Sequence, residues 1–197
     1  MHSEIARIIR TDRGITLVEI IVVLAISALL LVAVYAGYLV QHKTSNVQHQ
    51  IMTIQQDLRA LADIMERDIR MSGCDPTGYS TAGIIVGGTN ANALFVSMDL
   101  DGDGDTGDTD EQAAYARNST TVTRNGQSLV QGITTMGFIY LDGNNAAIAP
   151  PITSGNVDNI RTVRITLWIQ SEQRDPDTGQ FLTRTLSRRV RCRNLGF

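Results

Sequence analysis

From Ile20 to His42 no side chain carries a formal charge when His42 is neutral, and residues 20–40 are almost entirely Ile, Val, Leu and Ala. A helix crossing the hydrocarbon core of a bilayer needs roughly 20 such residues. This run is long enough, and it lies near the start of the chain. The expected element is a membrane-crossing helix. The stretch before it, residues 1–14, is short, polar and positive through Arg7, Arg10 and Arg13. Arginines on that flank predict an N-terminus in the cytoplasm and the remainder across the membrane.

A conventional secretory signal would have a shorter apolar core and a small-residue cleavage site after it. Here the apolar run is too long and no A-x-A site follows it. Instead Gly14 precedes the run and Glu19 lies just inside it. A carboxylate at that depth is costly in lipid unless it finds a partner, and a simple anchor has no use for one.

The run Arg13-Gly14-Ile15-Thr16-Leu17-Val18-Glu19 resembles the cleavage motif of type IV prepilins and pseudopilins. The resemblance implies a cut after Gly14 by a prepilin peptidase, methylation of the new N-terminus at Ile15, and a filament-assembly role for Glu19. Two departures are Ile15, where the family usually has Phe, and the absence of a helix-kinking proline, with Ala36 and Gly37 in that region.

Beyond Lys43 the pattern turns amphipathic. Val47, Ile51, Ile54, Leu58, Leu61 and Met65 recur three and four apart, which marks one face of a helix. With no Gly or Pro between residues 38 and 72, a single helix is expected from about Ile15 to Met71, stopped by Ser72-Gly73 with Pro76 beyond. Past residue 78 the chain reads as β structure, with strands expected over 93–98, 112–117, 120–124, 128–130, 134–141, 161–171 and 183–193. Asn125-Gly126 predicts a two-residue hairpin turn, and Asp175-Pro176-Asp177-Thr178-Gly179 another reversal. The expected fold class is α+β: a type IV pilin-like fold with a long N-terminal helix packed on a C-terminal antiparallel sheet domain. The expected organisation is a leader at 1–14, a membrane and filament-core helix at 15–41, and a periplasmic or extracellular globular domain at 42–197. That domain comprises an amphipathic helix at 42–71 and a β-rich region at 78–197.

Several later stretches, among them RDIRMSGCDP after the helix and SLVQGITTMGFIYLDGNN, are similar to PilW-type minor pilins. The J-type pseudopilins of type II secretion share the layout. The resemblance implies a minor pilin that takes part in pilus assembly or initiation, with a minor pseudopilin as the alternative. The implied partners are other pilin subunits, the prepilin peptidase, the inner membrane and an assembly platform, and the implied destination is the pilus or cell surface. A membrane-tethered periplasmic calcium-binding module is a third reading, to which Glu19 is foreign.

Residues 99–111, DLDGDGDTGDTDE, place seven carboxylates in thirteen positions. Such crowding is repulsive unless a cation sits among them. Asp99, Asp101, Asp103 and Gly104 follow the first half of a calcium-loop pattern. Asp105 is expected to offer a carbonyl, and Asp110, with Glu111 beside it, takes the closing position. The expected cofactor is calcium, clipping a hairpin rather than a helix pair; the bland alternative is a solvated acidic loop. Cys74 and Cys192 are far apart and form no CxxC, which excludes a thioredoxin-type or metal-thiolate site on spacing. In an oxidising compartment they are candidates for a disulfide; Cys192 reads equally as a small apolar residue beside Val190.

Nothing in the sequence supports catalysis. His42 and His49 lie seven apart near the membrane segment, and there is no G-x-S-x-G, P-loop or dinucleotide fingerprint. Sixteen arginines and one lysine against twenty acidic residues give a net charge of −3, with no basic block interleaved with aromatics. Nucleic acid is therefore not an expected partner. Arg184, Arg188, Arg189, Arg191 and Arg193 make the last strand basic, as a solvated face, as partners for acidic groups, or as a subunit contact.

Overall fold

The computed structural model describes residues 14–195. Residues 1–13, and with them Arg7, Arg10, Arg13 and all of the expected leader but Gly14, lie outside the described residues. The chain divides into two units, Met1–Asn46 and Val47–Phe197.

Helix α1 spans Leu17–Met71. In its first unit every apolar side chain from Ile15 to Val40 is exposed, with Ile15 and Leu17 about three-quarters so at 75% and 74%. The segment is long and apolar enough to cross a membrane. In the second unit the helix behaves differently. Ile54, Leu58, Leu61, Ala62, Met65, Asp68 and Ile69 are buried along one face, while Arg59, Asp63, Arg67 and Arg70 stay exposed. Burying a Leu, Ile or Met side chain contributes about 1.5–3 kcal/mol each as an upper estimate. This half of the helix is thus held by packing, not by helix propensity.

The helix ends as its sequence indicates. Gly73 adopts a positive φ of 77°, the left-handed conformation that glycine enters without steric cost. The C-terminal tail closes the end from outside: the Asn194 amide donates to the carbonyls of Arg70 and Met71, at 3.4 and 3.5 Å. Those are carbonyls that a helix leaves without internal partners.

Among the described residues, eight strands form two antiparallel four-stranded sheets. The first runs in order β1 (Leu94–Ser97), β2 (Gln112–Asn118), β3 (Thr121–Arg124) and β4 (Gln127–Val130). At the β3–β4 turn Asn125 and Gly126 both have positive φ, 52° and 79°, as the expected type I′ hairpin requires. The Asn125 side chain also spans to β2, accepting from the Ala114 N–H at 2.7 Å and donating to the Gln112 carbonyl at 2.8 Å. The second sheet has the order β6-β5-β7-β8, with β5 at Ile133–Leu141, β6 at Ala147–Ile148, β7 at Thr162–Arg174 and β8 at Phe181–Arg191. The two-residue β6 has too short an alternation to be visible in sequence. On β7, Val163, Ile165, Leu167 and Ile169 face inward and are buried. They join the buried face of α1 and Leu94, Val96, Tyr115 and Val122 of the first sheet in one hydrophobic core.

Candidate functional site

Two places concentrate the unusual residues: the start of α1 and the loop between β1 and β2. At the first, Gly14, Ile15 and Thr16 precede the helix, and Leu17 opens it. The Thr16 hydroxyl accepts a hydrogen bond from the Glu19 backbone N–H at 3.3 Å. Thr16 is therefore the N-cap, and Thr16-x-x-Glu19 has the spacing of a capping box. Glu19 lies in the first turn, where the helix dipole favours a negative charge. A Cβ built on Gly14 meets nothing within 4 Å. Among the described residues, no packing demands glycine at that position.

At the second place, the loop after β1 is bent around two buried carboxylates. Asp99 is fully buried; its oxygens accept from the Gly102 N–H at 2.6 Å and the Gly104 N–H at 3.1 Å. Glu111 is also buried and accepts from the Leu100 and Asp108 N–H groups at 2.7 and 3.3 Å. Gly102 and Gly104 take positive φ, 80° and 94°, which lets the chain wrap so closely. Asp101, Asp103 and Asp105 each accept from a backbone N–H two residues on. Asp105, then Asp103 and Asp101, push the Asp108 carboxyl above its ordinary range by charge repulsion.

Oxygens of Asp99, Asp101 and Asp103 lie within 4.8 Å of one another. Two ligands on opposite sides of one calcium stand about 5 Å apart, twice a bond of 2.3–2.6 Å. The three carboxylates thus fit a hard, oxygen-seeking cation. Asp110 stands apart from them: exposed and at a positive φ of 70°, it faces Arg124 at 3.7 Å. Glu111 is the carboxylate turned into the loop, a role that its place one residue beyond the pattern concealed.

Arg124 also reaches the helix. Its Nε donates to Asp68 at 2.8 Å, and the Tyr115 hydroxyl donates to the same oxygen at 2.5 Å. Burial, then the hydrogen bond to Asp68, raise the Tyr115 hydroxyl far above its ordinary pKa. This chain of contacts ties α1, β2, β3 and the acidic loop together.

The family model described as the prokaryotic N-terminal methylation motif matches residues 9–35, which contain Gly14, Thr16, Glu19 and the first part of the apolar helix. The match covers 27 residues at the N-terminal end of the chain. A type IV-like pilin from Thermus thermophilus is similar in structure at 10% identity, with a TM-score of 0.47 over 73% of this chain and 98% of that one. No curated protein matches the chain in sequence.

The two cysteines are free thiols. Of the two readings open in sequence, bond or buried apolar residue, Cys192 takes the second. It is 3% exposed and packs in the core, and burial pushes its thiol up to about 12. Cys74 is half-buried against the core. The arginines of β8 divide by strand alternation. Arg188 lies on the inner side of its register and donates to Asp63 and Glu66 of α1 at 2.5 and 2.7 Å. Arg189 and Arg191 point the other way. His42 bonds the Asn46 side chain at 3.2 Å, and His49 borders a cleft of about 430 Å³.

Proposed function

We propose that this protein is a minor pilin that takes part in assembling a type IV pilus after prepilin peptidase has cut behind Gly14, with calcium clipping its acidic loop. The observation that carries the first part is the junction itself. A single carboxylate, Glu19, opens a helix whose apolar surface is uncovered on all sides from Ile15 to Val40. Such a helix needs lipid before assembly and neighbouring helices after it. In either place the carboxylate needs a positive partner. Cleavage at Gly14 creates one, the free amine of Ile15, and a neighbouring subunit's amine can neutralise Glu19. Gly14 has no packing role of its own among the described residues, which suits a residue read by a peptidase. The polar residues 1–13 then stay on the cytoplasmic side, and the unit Val47–Phe197 folds across the membrane. The role is structural rather than catalytic. For calcium the supporting observation is the Asp99, Asp101 and Asp103 oxygens gathered in a loop whose charges repel.

The test is processing and incorporation. Mass spectrometry of the mature protein is expected to give an N-terminus at Ile15 carrying a methyl group. Glu19→Ala is expected to insert in the membrane normally and to be depleted from sheared filaments. An intact leader, or normal amounts of the variant in filaments, removes this reading. Loss of surface pili with type II secretion unaffected in a deletion strain separates the pilus role from a secretion pseudopilus.

A further inference from the structure

We propose that the solvent face of the β6-β5-β7-β8 sheet docks the acidic loop of a second copy of this chain, residues 99–111 of one copy seating on Arg164, Arg189 and Arg191 of the next. The inference rests on the filament-subunit reading above and names one contact that such a subunit would make.

The strand register places these arginines together. Arg164 on β7 sits directly opposite Arg189 on β8, and Arg191 follows two residues along, on the same face. Like charges in directly opposed positions work against a sheet. This arrangement is left uncompensated: none of the three makes an ion pair or side-chain hydrogen bond among the described residues. Elsewhere in the same unit, Arg70, Arg124 and Arg188 all meet carboxylates. Ile139 opposite Arg164, and Trp168 two pleats along β7, add exposed apolar surface at 41% and 50%. Small side chains, Thr166 and Ser187, lie between, so the face is flat enough to be covered.

The same unit carries the opposite charge without compensation. Of the seven carboxylates in residues 99–111, only Asp110 meets a cation, Arg124, among the described residues. Asp101, Asp103, Asp105 and Asp108 are exposed. A divalent ion in the loop leaves five of the seven charges, so calcium does not remove the complementarity. A basic face and an acidic loop at different places on one chain make a heterologous contact, which extends from copy to copy when it does not close into a ring. Nucleic acid fits less well. The chain is acidic overall, and this face has one exposed aromatic, where single strands stack on several.

The experiment is sedimentation equilibrium of the mature full-length chain in neutral-detergent micelles with chelator. Self-association is expected to weaken at least ~10-fold between 0.1 and 1 M salt, as the screening length falls from about 10 to 3 Å. Arg164→Glu with Arg189→Glu, and separately Asp101→Lys with Asp103→Lys, are each expected to weaken it by ~10-fold or more. Mixing the two variants is expected to restore association between them, and Arg164→Lys with Arg189→Lys to retain it. Should the glutamate variant melt early, Arg189→Gln with Arg191→Gln, both exposed, carries the test in its place. Association indifferent to all these changes belongs to the apolar helix and overturns the proposal. So does a failed charge swap, including one in which a single-stranded oligonucleotide binds the arginine face instead. An N-terminus found at Ile15 in the same preparation leaves the filament reading standing even if the swap fails; an uncut chain sinks that reading by itself.

Discussion

Replacing Asp68 by Ala should cost the domain about 3 kcal/mol. Asp68 accepts from both Tyr115 and Arg124 through one oxygen. Its side chain is 10% exposed, and that of Arg124 is 22%. Breaking a buried ion pair by removing one partner costs about 3–5 kcal/mol. The lower end applies because Arg124 keeps some contact with water and keeps Asp110 at 3.7 Å. The orphaned Tyr115 hydroxyl alone accounts for about 1–3 kcal/mol of the loss. Tyr115→Phe, which removes the donor and leaves no orphan, should cost only about 1 kcal/mol. In Asp68→Ala that hydroxyl is already without its partner, so the double variant should cost less than the sum of the two singles. Urea titration of the full chain in micelles, followed by the emission of Trp168, its single tryptophan, gives all three values. Domains of this kind have about 5–15 kcal/mol in total, so a loss of this size is easily read. A cost below about 1 kcal/mol for Asp68→Ala, or strict additivity with Tyr115→Phe, would refute the claim that this network pins the helix to the first sheet.

Calcium at a hundredfold excess over its dissociation constant should stabilise by about 2.7 kcal/mol, or about 5–10 °C for a unit of this size. Asp101→Ala with Asp103→Ala should abolish that shift, and an unmoved melting temperature at millimolar calcium would retire the calcium claim. Cys192 should resist iodoacetamide at pH 8 while the chain is folded, because burial holds its thiol up to about 12. After unfolding without reductant both cysteines should label, and failure to label would reveal a bond. Gly132→Ala should cost about 1–3 kcal/mol, read as a lower urea midpoint. Its φ is +83°, and the added methyl would sit 2.7 Å from the Gln170 carbonyl oxygen; an unchanged midpoint would contradict this.

Local chemistry was readable in the sequence, and pairing across distance was not. The end of α1 at Met71, the Asn125-Gly126 turn and the inward set Val163, Ile165, Leu167 and Ile169 each follow from a few adjacent residues. The buried helix face was also readable as far as Met65. Its continuation through Asp68 was not, since an aspartate on an apolar stripe looks like a break until Tyr115 and Arg124 arrive from strands about fifty residues away. The division into two sheets depends on β5 pairing with β7, which no local pattern states. Strand alternation separates Arg188 from Arg189 in principle, but only the position of α1 shows that the inward arginine has Asp63 and Glu66 to meet. In the acidic loop the crowding of charge was plain. That Glu111 turns inward while Asp110 faces Arg124 depends on the positive φ at Asp110.

The apolar half of α1 has one further consequence. Between Glu19 and Gln41 its only polar groups are Ser27, Tyr35 and Tyr38, and aliphatic side chains surround the axis. Such a rod has no preferred roll: rotating it against an oily neighbour changes little. Nor does it have a preferred sliding position, since one turn of Ile, Val and Leu resembles the next. Glu19 is the one charged landmark at the start of this run. On the filament-subunit proposal, a single carboxylate near the tip would act as an index mark, setting both the azimuth and the axial step at which this helix comes to rest beside another.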